Sequence, residues 1–165
     1  MKDRPQINIE KSLIQKGFDV AAIIFLILSI IYITLEWGSI PNRVPIHFNA
    51  SGIADNWGSK GTILLLPMIG VILWGGLTML ERFPHKYNYI VKITDGNAAL
   101  QYRSAVVLIH FLKNTIALFF AYVTVESVQM AKGIEKGLSV WVMPLFLTMI
   151  FGAIILYIVH SIKWR

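Results

Sequence analysis

FDVAAIIFLILSIIYITL, residues 18–35, decides the fold. Only Asp19, Ser29 and Thr34 interrupt its apolar run. A helix rising 1.5 Å per residue needs about 20 such residues to cross a hydrocarbon core about 30 Å thick. With no water to bond to in lipid, such a segment must satisfy its own N–H and C=O groups, which a helix does. Outward from this stretch, Thr62–Leu80 and Ser139–Val159 repeat the pattern with no charge at all. The composition agrees, with 56% hydrophobic and 15% charged residues, where soluble domains run at roughly half and a quarter. The first run is too long for a leader core, and the following YITLEWGS has no small-x-small cleavage pattern, so residues 18–35 are expected to stay as an anchor.

A fourth run, Ser104–Val125, carries His110, Lys113 and Asn114. It reads either as a span with a charge near its middle or as an amphipathic helix that enters the bilayer only after Lys113. Arg103, His110, Lys113 and Asn114 share one helical side. An ionised lysine at mid-bilayer costs roughly 2.5–3.5 kcal/mol on insertion scales. The second reading is therefore preferred, with the crossing at 114–130, an amphipathic cytoplasmic connector at 81–113, and Lys113 snorkelling to the surface. Tyr87–Thr94 alternates weakly, as a short extended piece would, and Thr94 or Asp95 is placed to cap a helix starting near Asn97.

Basic residues set the orientation. Ten lie before the first run, between the second and third, or after the fourth (Lys2, Arg4, Lys11, Lys16, Arg82, Lys86, Lys92, Arg103, Lys163, Arg165), against four in the alternate connectors (Arg43, Lys60, Lys132, Lys136). Cytoplasmic loops collect Lys and Arg, so both termini are expected in the cytoplasm. The same argument accounts for the excess of 15 basic over 9 acidic residues without invoking nucleic acid. The absence of cysteine excludes disulfides, thiolate metal sites and cysteine nucleophiles.

By this orientation residues 36–61 lie outside. Pro41 and Pro45 bias their predecessors towards extended backbone, and Val44, Ile46 and Phe48 alternate with Pro45, His47 and Asn49, as in a short strand. Ala50, Ser51 and Gly52 can turn the chain, with Asp55, Asn56 and Gly58 as further turn residues. The expected result is a hairpin-like cap, with Ser59 capping the second span and Pro67 placed to kink it. Trp-Gly-Ser stands at both membrane junctions, residues 37–39 and 57–59, where tryptophan favours the headgroup level.

Pro41, Val44, Pro45, His47, Asn49, Gly52, Asp55, Gly58, Ser59 and Lys60 together form a pattern that resembles the membrane domain of unknown function 1648 in the front part of SdpI-type bacterial immunity proteins. FPHKYNY and LQYRSAVVLIHFLKN extend the likeness. It implies a bacterial cell-membrane protein. In SdpI-type chains it implies protection against a secreted toxic peptide and, through the membrane, capture of a repressor; such chains continue into a second membrane half that has no counterpart in these residues.

His47, Asn49 and Asp55 are the candidate binding residues of the cap, joined by Glu126 and Gln129 at the outer end of the third span and by Glu36 at that of the first. Glu126 beside His47 would favour the charged imidazole. These groups either converge as a site or tie the loop to itself. Pro41, Pro45, Gly52, Trp57, Gly58, Ser59 and Lys60 are assigned structural roles. His47, Asp55 and Glu126 are possible metal ligands by type, but no paired-His or HExxH spacing accompanies them, so neither a metal nor a cofactor is expected. No nucleophile elbow is present and no catalytic residue is assigned.

The sequence thus predicts one all-α integral membrane domain over 1–165. Its spans are at about 18–35, 62–80, 114–130 and 139–159, both termini are inside, and the hairpin-like cap is outside. The expected function is a non-enzymatic binding, sensing or immunity-like membrane component. Its expected partners are the lipid bilayer and an extracytoplasmic peptide or protein. The alternatives are an outer-interface enzyme using His47 with Asp55 or Glu126, and a small transporter or accessory subunit.

Overall fold

The structure is a computed structural model and describes residues 4–165. Lys2, counted above for orientation, lies outside the described residues. In chain order the elements are α1 (Leu13–Glu36), β1 (Arg43–Phe48), β2 (Ala54–Ser59), α2 (Leu65–Leu80), α3 (Ala98–Ala131) and α4 (Val142–Lys163). Short 3₁₀ turns at Lys60–Leu64 and Pro84–Lys86 lie before and after α2. The four helices, with the turn at Lys60 counted into α2, are long and apolar enough to cross a membrane. The molecule is therefore a multi-pass membrane protein with a small two-stranded sheet.

α1 begins with a capping box: the Ser12 hydroxyl accepts from the Gln15 amide, and the Gln15 side chain accepts from the Ser12 amide. α1 and α3 pack through small side chains, Ala22, Ala117 and Ala121, around the fully buried Leu26. Small residues let helix backbones approach closely where no hydrophobic effect drives association. Gly70 serves α2 in the same way, because a Cβ there would lie 2.9 Å from Leu26 Cδ2. Gly75 and Gly76 face open space. Pro67 does not kink α2: the α-helix starts only at Leu65, so the missing donor falls in the first turn.

α3 is one continuous helix of 34 residues, about 51 Å at 1.5 Å per residue. Its first turns take up 98–113, the later part of the segment read from sequence as a connector. Residues 87–94 form no strand. Before α3, the Asn97 side chain accepts from the Thr94 amide and the Thr94 hydroxyl accepts from the Asn97 amide, a reciprocal pair that sets the helix start. α4 stands at the edge, with Ser161 its one buried residue.

The hairpin is real, but its pattern differs from simple alternation. Val44 and Pro45 are both buried while Ile46 is 47% exposed. Register shifts flank His47 on both sides, and a bulge breaks the period of two. Asp55, Asn56 and Gly58, read as turn residues, lie in β2. The turn is instead built by Asn49, whose side-chain oxygen accepts from the Ser51 and Ile53 amides. Ser59 occupies the cap position of the following turn, but its hydroxyl makes no capping bond.

The hairpin is fixed to the bundle at several points. Val44 joins Ile33, Ile40, Ile63 and Val128 in one core cluster. The Gly52 carbonyl accepts from the Leu138 amide at 2.8 Å, in the loop between α3 and α4. Gly52 has φ +79°, and a Cβ there would meet the Leu138 oxygen at 2.3 Å, so glycine is required both for conformation and for close approach. The first described residues and the end of α4 lie at the opposite end. There Arg4 donates to the carbonyls of His85 and Tyr87, and Gln101 donates to those of Ser161 and Trp164.

Candidate functional site

Four charged side chains meet where α1, α2 and α3 cross. Asp19 comes from the second turn of α1, Glu81 follows the last residue of α2, Lys113 sits mid-way along α3, and Lys11 reaches in from the segment before α1. Lys11 Nζ lies 2.6 Å from Asp19 and 2.6 Å from Glu81. Lys113 Nζ lies 2.9 Å from Asp19, 3.1 Å from Glu81 and 2.8 Å from the Thr78 hydroxyl. Its fourth neighbour is the Trp74 ring, whose centre lies 4.7 Å from Nζ. The Lys113 side chain is 0% exposed and that of Glu81 3%. Lys113 therefore does not snorkel: two carboxylates on neighbouring helices neutralise it in place, which removes the cost that argued against burying it.

Asn114 fixes the remaining geometry. Indole N–H is a donor only, so the Asn114 oxygen must face Trp74 Nε1, at 2.8 Å. Its amide nitrogen then donates to Asp19 at 2.9 Å and to the His110 carbonyl at 3.0 Å, with His110 Nε2 3.3 Å away. His110 Nδ1 lies 3.3 Å from Asp19 Oδ1 and 3.6 Å from Glu81 Oε1. Glu81 Oε1 and His110 Nδ1 are both buried without a hydrogen-bond partner. Lys11 and Lys113 set two ammonium groups against the two carboxylates.

The two groups just beyond the apolar helical segments titrate accordingly. Burial opposes the Lys11 ammonium, but hydrogen bonds to Asp19 and Glu81 outweigh it and hold its pKa above the ordinary lysine value. Burial likewise opposes ionised Glu81, but the His110, Lys11 and Lys113 contacts outweigh it and hold the carboxyl below the usual range. Asp19, Glu81 and His110 also present ligand-type atoms within 4.8 Å of one another. The two ammonium groups hold both Asp19 oxygens and Glu81 Oε2 of this set, but not Glu81 Oε1.

At the hairpin end, His47 Nδ1 meets Asp55 Oδ1 at 2.5 Å, with side chains 66% and 44% exposed. Asn49 ties the loop to itself through the two amides already described. Glu126 does not join them: no hydrogen bond or ion pair links it to His47 among the described residues. Glu36 is engaged elsewhere, by Lys132 at 2.5 Å and by the Ser39 hydroxyl at 2.6 Å. The Gln129 side-chain oxygen is buried without a partner. Lys60 donates to the Trp37 carbonyl and lies 4.6 Å from the Trp37 ring centre, so the residue after the second Trp-Gly-Ser ties down the first. A Cβ at Gly58 would lie 2.8 Å from Ile46 Cγ2. Pro45 is buried, Pro41 exposed and Trp57 39% exposed, with Trp57 O accepting from Arg43.

The sequence reading placed His110, Lys113 and Asn114 on one face but did not connect them to Asp19, Glu81 or Trp74. The signal was present: an acidic and a basic residue interrupt two different apolar runs, and opposite charges in such runs seek each other.

Residues 24–71 match the family model described as Domain of unknown function (DUF1648). The matched part runs from within α1 through the hairpin into the first turns of α2. No curated protein and no solved structure matches the chain.

Proposed function

We propose that this is a non-enzymatic binding or sensing component of a bacterial cell membrane, with the hairpin outside and both termini in the cytoplasm. It engages an extracytoplasmic peptide or protein, in the manner of an immunity protein. The observation that carries this reading is the mounting of the hairpin. Val44, Gly52 and Lys60 fix it to the helix ends, while Ile46, Ile53 and Trp57 stay exposed beside the His47–Asp55 pair. A rigid element with apolar and charged groups on its free side suits an amphipathic partner, because little ordering entropy is lost on binding. The loop-charge bias supports the sidedness.

The chain has no cysteine, so sidedness is testable directly. Ser51→Cys at the exposed tip should react with a membrane-impermeant maleimide in intact cells, and Lys92→Cys only after permeabilisation; the reverse labelling refutes the orientation. For function, cells expressing the protein are challenged with membrane-active peptides. Protection that disappears in a His47→Ala/Trp57→Ala variant of normal abundance supports the reading, and unchanged killing by every peptide tried counts against it.

A second reading, a small ion-coupled transporter or accessory subunit, is favoured by the buried Lys11–Asp19–Glu81–Lys113 network, since ionisable groups inside membrane bundles often mark ion pathways. Its test is flux across liposomes containing the purified protein. Flux abolished by Asp19→Asn supports it, and no flux above protein-free vesicles removes it.

A further inference from the structure

We infer that the groove between α3 and α4 is a binding site for an anionic phospholipid, with the headgroup phosphate on Arg103 and His160 and the acyl chains along the apolar wall. The two helices are clamped at two levels. At one end, Gln101 and Ser161 are both buried and exchange hydrogen bonds: Gln101 Nε2 donates to the Ser161 carbonyl at 3.0 Å, and the Ser161 hydroxyl donates to Gln101 Oε1 at 2.6 Å. Towards the hairpin end, the Phe119 and Phe146 rings stack with centres 4.0 Å apart. Between the clamps the helices enclose a groove of about 780 Å³, within the roughly 300–1,000 Å³ of ligand sites.

Its wall is apolar along the middle, with Val107, Phe111, Met149 and Leu156, and is deepened by Gly152, where a Cβ would meet nothing within 4 Å. Its two basic side chains, Arg103 and His160, lie at one end only. Arg103 is in the second turn of α3 and His160 in the last turn of α4, the depth at which headgroups sit when both helices span. Neither side chain has a hydrogen bond or an ion pair among the described residues. Arg103 follows Gln101 by two positions and His160 precedes Ser161, so the polar clamp also holds the two basic groups in place. Trp164, half-exposed and next to the His160 ring, adds an interfacial side chain at the same level. A chain-length apolar trough with two unpaired basic groups at one end complements an acidic phospholipid. Basic pockets between membrane helices bind such headgroups in general.

The experiment is native mass spectrometry of the detergent-purified full chain. Phosphatidylglycerol and phosphatidylcholine of identical acyl chains are titrated in competition. The wild type should retain phosphatidylglycerol with a preference of at least about five-fold, the size of one Arg or Lys at an anionic surface. Arg103→Gln should bring that preference close to one. Gly152→Leu, which extends into the groove and not into protein, should weaken both lipids with circular dichroism and elution volume unchanged. Equal retention of the two lipids by the wild type overturns the proposal even if a variant misfolds. A full preference in Arg103→Gln overturns the headgroup assignment, and undiminished binding in Gly152→Leu overturns the groove.

Discussion

Lys113→Met tests the buried network most directly. Methionine nearly matches the lysine stem in length and fills the space beside Trp74, so the change removes charge and little else. It leaves Asp19 and Glu81 sharing Lys11 alone, with one negative charge uncompensated and the Thr78 hydroxyl without its donor. The Lys113 side chain is 0% exposed, so solvent does not screen the loss. Breaking a buried ion pair by removing one partner costs about 3–5 kcal/mol, or roughly two to three and a half decades in the folded-to-unfolded ratio. Adding Glu81→Gln restores neutrality. The double variant should then be less destabilised than the two single changes together, by about 1 kcal/mol or more, within the range of coupled neighbours. The assay is denaturant unfolding in micelles followed by tryptophan fluorescence. Lys132→Met serves as the control, because it breaks a partly exposed pair with Glu36 and should have a smaller effect. Strict additivity in the cycle, or a Lys113→Met variant within about 0.5 kcal/mol of wild type, refutes the reasoning.

Three further outcomes are expected. Burial and the nearby Glu81 charge push the Tyr87 phenol up to about 12, and Lys11 is raised as well. Both groups give stability that is complete below their unfolded values, near 10 and 10.5, and lost as pH rises through the folded ones; absorbance at 295 nm should show Tyr87 ionising late and Tyr87→Phe removing that phase. Gly52→Ala forces a Cβ into a left-handed backbone, costing about 1–2 kcal/mol, and into the Leu138 carbonyl. Its expected signature is faster deuterium exchange at the Leu138 amide; an unchanged rate refutes the contact. Ser161→Ala leaves Gln101 Oε1 buried without its donor, which should cost about 1–3 kcal/mol, and an unaltered unfolding midpoint speaks against the polar clamp.

Much of the architecture was legible because the bilayer imposes so strong a rule on composition. An apolar run with its own backbone satisfied has one form in lipid, so residues 18–35, 62–80 and 139–159 announced helices. The hairpin was legible from Pro41 and Pro45, which favour extended backbone before them, and from Ala50, Ser51 and Gly52, which can turn the chain. Its register was not, because the bulges around His47 arise from fitting Val44 and Pro45 together onto the helix ends, a demand of the bundle and not of the strand. Asp55, Asn56 and Gly58 favour turns in isolation, yet pairing with β1 overrode that preference. The destination of Lys113 was the largest difference. Its cost in lipid was weighed as though it were alone, whereas Asp19, 94 positions earlier, stands 2.9 Å away. The distance along the chain concealed the pair.

The network also ranks the helices. Asp19 on α1 and Lys113 on α3 are each costly alone in lipid, and Glu81 at the end of α2 shares both ammonium groups, so no one of these helices reaches a neutral interior without the other two. α4 has no part in that balance. It adds to α3 through an apolar seam and one polar clamp, and Ser161 is its only buried residue. The hairpin sits on the three-helix unit as well, with Val44 packed among Ile33, Ile63 and Val128, and its turn meets the α3–α4 connection where Gly52 approaches Gly137 and Leu138. A charge-locked core of α1–α3 carrying the hairpin, with α4 leaned against it, leaves one place where the bundle can part without exposing an ion. That place is the α3–α4 seam, where the lipid groove lies.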